Sequence, residues 1–240
     1  MFSYSTRVEK VSEVWSDSFK VYKEHFTKIV GLVFVANLIS AVLQYFMPID
    51  ETSKGFATYG SGPLPVVLTL ITLLIAVYFL AAIFHRYQGL VLGQNPSFTV
   101  SLQFALKRYF VYLGAMIIAT ILMGVGFIIL VIPGIFLAFL LAFTMPSVIL
   151  DDKNVFSSID YSSKLVWGNW WRNFVVLFIP GLILAVVNIA LALLFTPNHM
   201  VVFLILNLIL MSIAAPWIYA VLLVQYNDLK LRYAEKMAKK

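Results

Sequence analysis

Six stretches of predominantly apolar residues run at 28–47, 65–85, 109–132, 134–150, 173–195 and 200–225. At about 1.5 Å per residue, each is long enough to cross a hydrocarbon core of about 30 Å, the fourth only if it stands nearly upright or the bilayer thins. Inside lipid every backbone polar group must be satisfied by the segment itself, so only helices and closed barrels span it. None of the six alternates apolar with polar residues as a barrel strand would. The expected fold class is therefore an all-α integral membrane protein with six transmembrane helices in three hairpins. It reads as one membrane domain over 1–240: a cytoplasmic amphipathic segment at 1–27, the bundle at 28–225 and a basic tail at 226–240. Only 12% of residues are charged, against about a quarter in soluble proteins. The apolar runs leave no segment for a separate soluble enzyme domain.

Orientation follows from where the charge lies. Of the 17 Lys and Arg, 16 fall before the first run, after the second, after the fourth or in the tail, and only Lys54 falls elsewhere. Cytoplasmic loops carry such an excess, so both termini are expected in the cytoplasm of a multi-pass cell-membrane protein. The net charge of +6 is spread over separate juxtamembrane segments. It points to anionic lipid headgroups and away from nucleic acid. Cysteine is absent, which removes thiol catalysis, thiolate metal sites and disulfides together. A cleavable signal is not expected, because the first apolar run begins near Ile29, behind a long charged segment.

The segments ahead of runs one, three and five share a pattern. Val11, Trp15, Ser18, Lys20, Tyr22 and Phe26 match Phe98, Leu102, Ala105, Lys107, Tyr109 and Leu113 at constant offsets. Val155, Ile159, Ser162, Lys164, Val166 and Trp170 repeat them again. Spacings of three and four place the apolar and small members on one helical face. The reading is three copies of one unit, an amphipathic interfacial helix followed by a membrane hairpin. In the first copy the expected apolar stripe is Val8, Val11, Trp15, Phe19, Tyr22 and Phe26. Asn95-Pro96-Ser97 and Asp151-Asp152-Lys153-Asn154 supply helix starts for the other two. Pro133-Gly134 is expected to form the tight external turn between runs three and four. Thr196-Pro197-Asn198-His199 does the same between five and six.

Chemistry-bearing clusters are sparse. The three histidines, His25, His85 and His199, are scattered, and neither a His-Glu-x-x-His zinc motif nor a Gly-x-Ser-x-Gly nucleophile turn occurs. No catalytic, metal or cofactor site is expected, and the chain reads as a non-enzyme. His85-Arg86 reads as a snorkelling pair or a phosphate contact. Asp151, Asp152 and Asp160 read as a solvated helix-start cluster ahead of a cation site. Polar residues within the runs include Asn37, Gln44, Thr120, Asn188 and Asn207, and Asn188 with Asn207 can pair across adjacent helices. The run Trp167-Gly168-Asn169-Trp170-Trp171-Arg172, with Lys164 upstream, reads as an interfacial aromatic belt or a patch for lipid headgroups or a partner.

One family resemblance stands beside this. Pro133-Gly134-Ile135, Met145-Pro146, Ser162-Ser163-Lys164-Leu165-Val166, Gly168-Asn169, Arg172 and Phe174 resemble the membrane domain that precedes the catalytic domain of some bacterial glycerophosphoryl diester phosphodiesterases. That domain also occurs alone in multi-spanning membrane proteins. The opening Val11 to Phe26 is similar too, whereas Asp160-Tyr161 departs from an expected Ala-Leu pair. The resemblance implies architecture rather than chemistry, because the reaction belongs to a soluble barrel of about 250 residues for which this sequence has no segment. The function expected is a non-enzymatic membrane module that contacts lipid or a partner, either another membrane protein or a second copy. The alternative is a channel or permease component for a small neutral or amphipathic solute.

Overall fold

The computed structural model describes residues 4–47, 49–50, 58–59, 62–194 and 200–239. Among these, nine helices follow in order: α1 Val11–Tyr45, α2 Pro63–Val91, α3 Phe98–Lys107, α4 Tyr109–Ile129, α5 Val131–Leu140, α6 Thr144–Leu150, α7 Val155–Val166, α8 Trp170–Leu194 and α9 Met200–Ala238. A two-residue antiparallel ladder, β1 Ile49–Asp50 with β2 Thr58–Tyr59, closes the base of the first loop. Six helical runs are long and apolar enough to cross a membrane, with α5 and α6 counted as one. The chain is a multi-spanning, all-helical membrane protein. Lys54 and the turn at 196–199 lie outside the described residues.

The frame is the antiparallel pair α1 and α9. Helix α1 runs unbroken for 35 residues, where a boundary near residue 27 was expected. Charges mark where a helix leaves lipid, but only Gly, Pro or an unpaired turn ends it, and Phe26-Thr27-Lys28 offers none. Its buried stripe is Val14, Ser18, Val21, His25, Ile29 and Leu32, not the expected aromatic one. Phe19 is 46% exposed, with Lys23 Nζ lying 4.5 Å from its ring centre. Small side chains let two long helices approach closely, and that places the rings of Trp15, Phe19 and Tyr22 on the flanks.

The next helix, α3, begins at Phe98. Ser97 caps α3, its hydroxyl accepting from Val100 N at 3.2 Å. Helix α3 then runs back along α2, with Tyr78 Oη donating to the Leu102 carbonyl at 3.1 Å and Tyr109 Oη to that of Leu74 at 3.0 Å. The chain reverses between α4 and α5 at Leu130, which is extended (φ −164°), and Pro133-Gly134 lies in the first turn of α5. Proline is tolerated there because first-turn N–H groups have no partner within the helix. A Cβ on Gly126 would sit 3.0 Å from Gly134 Cα and 2.8 Å from Leu137 Cδ1, and one on Gly134 would strike the Phe127 ring. The two glycines therefore set how closely the hairpin arms approach.

The fourth apolar run, expected as one helix, breaks at Leu141–Phe143. The break frees a carbonyl and an N–H in an apolar layer, which costs several kcal/mol if unmet. Ser162 of α7 meets both: its hydroxyl donates to the Leu140 carbonyl at 2.8 Å and accepts from Phe143 N at 3.2 Å. The bend also turns α5 to lie beside α8 in the same chain sense, and not the antiparallel sense of a simple up-and-down order. Phe136 meets the rings of Trp167 and Trp170, while Phe139 meets those of Phe174 and Phe178.

Candidate functional site

The chain's two ends meet at one end of the bundle, and the group joining them is Asp228 of α9, 1% exposed. Its Oδ1 accepts from Glu9 N at 2.7 Å. Its Oδ2 accepts from Arg172 Nε at 3.2 Å and Nη2 at 2.9 Å, and from Arg232 Nε at 2.8 Å. Arg232 Nη2 then donates to the Glu9 carbonyl at 2.7 Å, and Asn227 Nδ2 to that of Ser5 at 3.1 Å. One carboxylate thus ties the N-terminal segment ahead of α1, the start of α8 and the far end of α9. Charge-assisted bonds of this kind exceed neutral ones roughly twofold, and a buried ion needs them to offset its lost hydration.

A second set lies alongside. Asp151 accepts from Lys230 Nζ at 2.6 Å and from Tyr226 Oη at 2.5 Å, and Tyr226 Oη also lies 3.1 Å from Ser147 Oγ. Asp152 pairs with Arg108, and Asp160 with Lys164 Nζ at 2.6 Å. The three acids are thus held apart by separate cations. Among the described residues, no three His, Asp or Glu come together to hold a metal.

Of the other residues singled out from the sequence, Trp170 is sunk among Phe136, Phe139 and Phe174, its Nε1 donating to the Phe136 carbonyl at 3.0 Å. Trp167 and Trp171, by contrast, are 60% and 75% exposed. His85 and Arg86 lie apart from them, at the junction of α1, α2 and α3. His85 stacks on Phe104, its Nδ1 3.3 Å from Ser101 Oγ. Arg86 donates to the carbonyls of Lys28 (2.8 Å) and Pro96 and lies over Phe98, so its donors serve the backbone of neighbouring segments. Deep in α8 and α9, Asn207 Nδ2 donates to Asn188 Oδ1 at 2.6 Å, and Asn188 Nδ2 to the Leu184 carbonyl at 2.9 Å.

Sequence reasoning missed Asp228, Glu9 and Arg232. The available signal was an acid, Asp228, in a largely basic stretch, four residues before Arg232, which is the spacing of a helical ion pair.

Glu9 lies just ahead of α1 and is buried, with Oε2 lacking a hydrogen-bond partner. Burial, then the carboxylates of Asp17 and Asp228, push its carboxyl up to about 7, with a smaller push from Glu13 and an opposing hydrogen bond from Ser5. The native state therefore favours the protonated acid. That contribution to stability is complete below about pH 4.5 and is lost as pH rises through 7. In detergent, the melting temperature of the wild type should fall between pH 5 and 8, and Glu9→Gln should flatten that fall. Parallel slopes for the two proteins would contradict the assignment.

A scan of protein-family models finds no match to this chain, and searches of curated proteins and of solved structures find none either.

Proposed function

We propose that the chain is a non-enzymatic module of the cell membrane, with both termini cytoplasmic, that works by contacting lipid or a partner membrane protein through its basic end. The observation carrying this reading is the pairing of two exposed indoles, Trp167 and Trp171, with a basic end of the bundle where Asp151 and Asp228 are consumed in internal ion pairs. Indoles favour the headgroup level and basic side chains favour the anionic inner leaflet, so the two features locate the same plane.

Beside the likeness to the phosphodiesterase membrane domain, which belongs to the same proposal, we propose a tripled unit along the chain. It is supported by equivalent positions in the three segments: Val14 and Ser18, Ser101 and Ala105, and Ser158 and Ser162 are each fully buried. Four turns further along the chain, Leu32 in α1, Ala119 in α4 and Val176 in α8 occupy matching places at 3%, 4% and 0% exposure. Three stretches with one burial register fit three copies packing one face alike. For the channel or permease reading, Asn188 and Asn207 bond each other, and Asn37 Nδ2 reaches Ser212 Oγ at 3.4 Å. Amides spent on neighbouring helices serve packing.

Native mass spectrometry of the purified chain tests the module. It should retain phosphatidylglycerol in preference to phosphatidylcholine. Equal retention of the two, together with solute flux in proteoliposomes, would favour the transporter instead.

A further inference from the structure

The tail beyond Tyr226 continues as helix to Ala238, so its cations hold fixed positions. Arg232 and Lys236, spaced by four, share one face of α9, and Lys239 follows in the turn just past its end. Across from that face lies the bend between α7 and α8, where Gly168 adopts φ +91°, a conformation that strains other residues. Between the two walls is a hollow of about 390 Å³ lined by Trp167, Gly168 and Asn169 on one side and by Arg232, Lys236 and Lys239 on the other. Lys236 Nζ sits 3.8 Å from where a Cβ on Gly168 would stand, so the missing side chain leaves the ammonium room over the bend.

The charges in this hollow are unequal. Arg232 and Arg172 share the single carboxylate of Asp228, which offsets one of their two charges. Glu235 also lines the hollow and offsets one further charge. Lys236 and Lys239 take part in no ion pair among the described residues. The hollow therefore keeps a positive surplus, which suits an anionic phosphate ester. The exposed face of Trp167 forms one wall, so the hollow adjoins the aromatic level where headgroups lie.

We infer that the cleft between Trp167–Asn169 and Arg232–Lys239 binds the phosphodiester of an anionic glycerophospholipid, with Lys236 and Lys239 as its cationic contacts. This rests on the lipid-contact reading above and gives that reading a ligand class and a place. Arg172, the cation first suggested by the sequence, is already engaged by Asp228. The free charge therefore comes from the tail.

The test uses the full chain in detergent, titrated with phosphatidylglycerol and followed by native mass spectrometry. Near an anionic surface each Lys contributes about 1 kcal/mol, a factor of about five. The double variant Lys236→Ala/Lys239→Ala should therefore bind about twentyfold more weakly while melting at the wild-type temperature. A charge-matched control, Lys20→Ala/Lys23→Ala on the exposed flank of α1, should bind as the wild type does. Equal weakening in both doubles, or in neither, overturns the site. If the wild type shows no preference for phosphatidylglycerol over phosphatidylcholine, the lipid-contact reading falls with it. If the preference persists unchanged in the Lys236/Lys239 variant, only the site falls. Soluble glycerophosphoglycerol should fail to compete at millimolar concentration, and lysine-dependent competition would assign the cleft to a free phosphate ester.

Discussion

Asp228→Asn should lower the stability of the folded protein by about 3–5 kcal/mol, the range for removing one partner of a buried ion pair. At roughly 2–4 °C per kcal/mol for a chain of this size, its melting temperature in detergent should drop by about 10 °C. The size follows from what remains behind. Arg172 and Arg232 keep side chains only 15% and 24% exposed, and both lose the carboxylate they share. An amide oxygen still accepts one or two bonds but carries no charge, and its NH2 faces guanidinium donors. The segment ahead of α1 should loosen too, because Glu9 N and Arg232 both depend on Asp228 for their geometry. Limited proteolysis should then cut ahead of Val11 far faster than in the wild type. Removing all three charges together, Asp228→Leu with Arg172→Met and Arg232→Met, should cost much less, since no buried ion is left unpaired. A single-variant loss below 1 kcal/mol would show that solvent reaches the cluster and screens it.

Gly126→Val should be the second large effect, at about 1–3 kcal/mol from overpacking, with Gly124→Val as its internal control. The two positions share helix α4 and an apolar setting. They differ in that a Cβ on Gly124 meets nothing within 4 Å, whereas one on Gly126 meets the backbone of Gly134 at 3.0 Å. A backbone cannot swing aside as a side-chain tip can, so the α4–α5 hairpin must splay. Trp170, whose Nε1 is held by the Phe136 carbonyl, should shift its fluorescence in the first variant and not in the second. Equal melting temperatures for Gly124→Val and Gly126→Val would mean that the arms of the hairpin do not approach as described.

These two sites also mark how far the sequence could be read. Apolar run length is a local property, and the six runs were legible because hydropathy needs only near neighbours. The starts of α3 and α7 were legible for the same reason: Ser97 and Asn154 cap within three residues. Asn188 and Asn207 come together by hairpin arithmetic, since they lie at similar distances from Pro197. The continuity of α1 was hidden because a change from charged to apolar residues does not interrupt backbone hydrogen bonding. The α5–α6 break was hidden because the hydroxyl that makes it tolerable, Ser162, lies on another helix. The Asp228 cluster was hidden because its partners are separated by 219 and 56 residues in sequence, and no spacing rule connects such positions. Arg172 was legible as a cation at an interface, while its engagement by Asp228 was not.

The account depends most on one geometric claim, that both chain ends lie together on the cytoplasmic face of a membrane-spanning bundle. The natural absence of cysteine makes this directly measurable by single-cysteine labelling with a membrane-impermeant maleimide in intact and permeabilised cells. Ser5→Cys and Glu235→Cys should label only after permeabilisation, and Phe46→Cys, at the far end of α1, should label in intact cells. Labelling of Ser5→Cys or Glu235→Cys in intact cells would contradict the account.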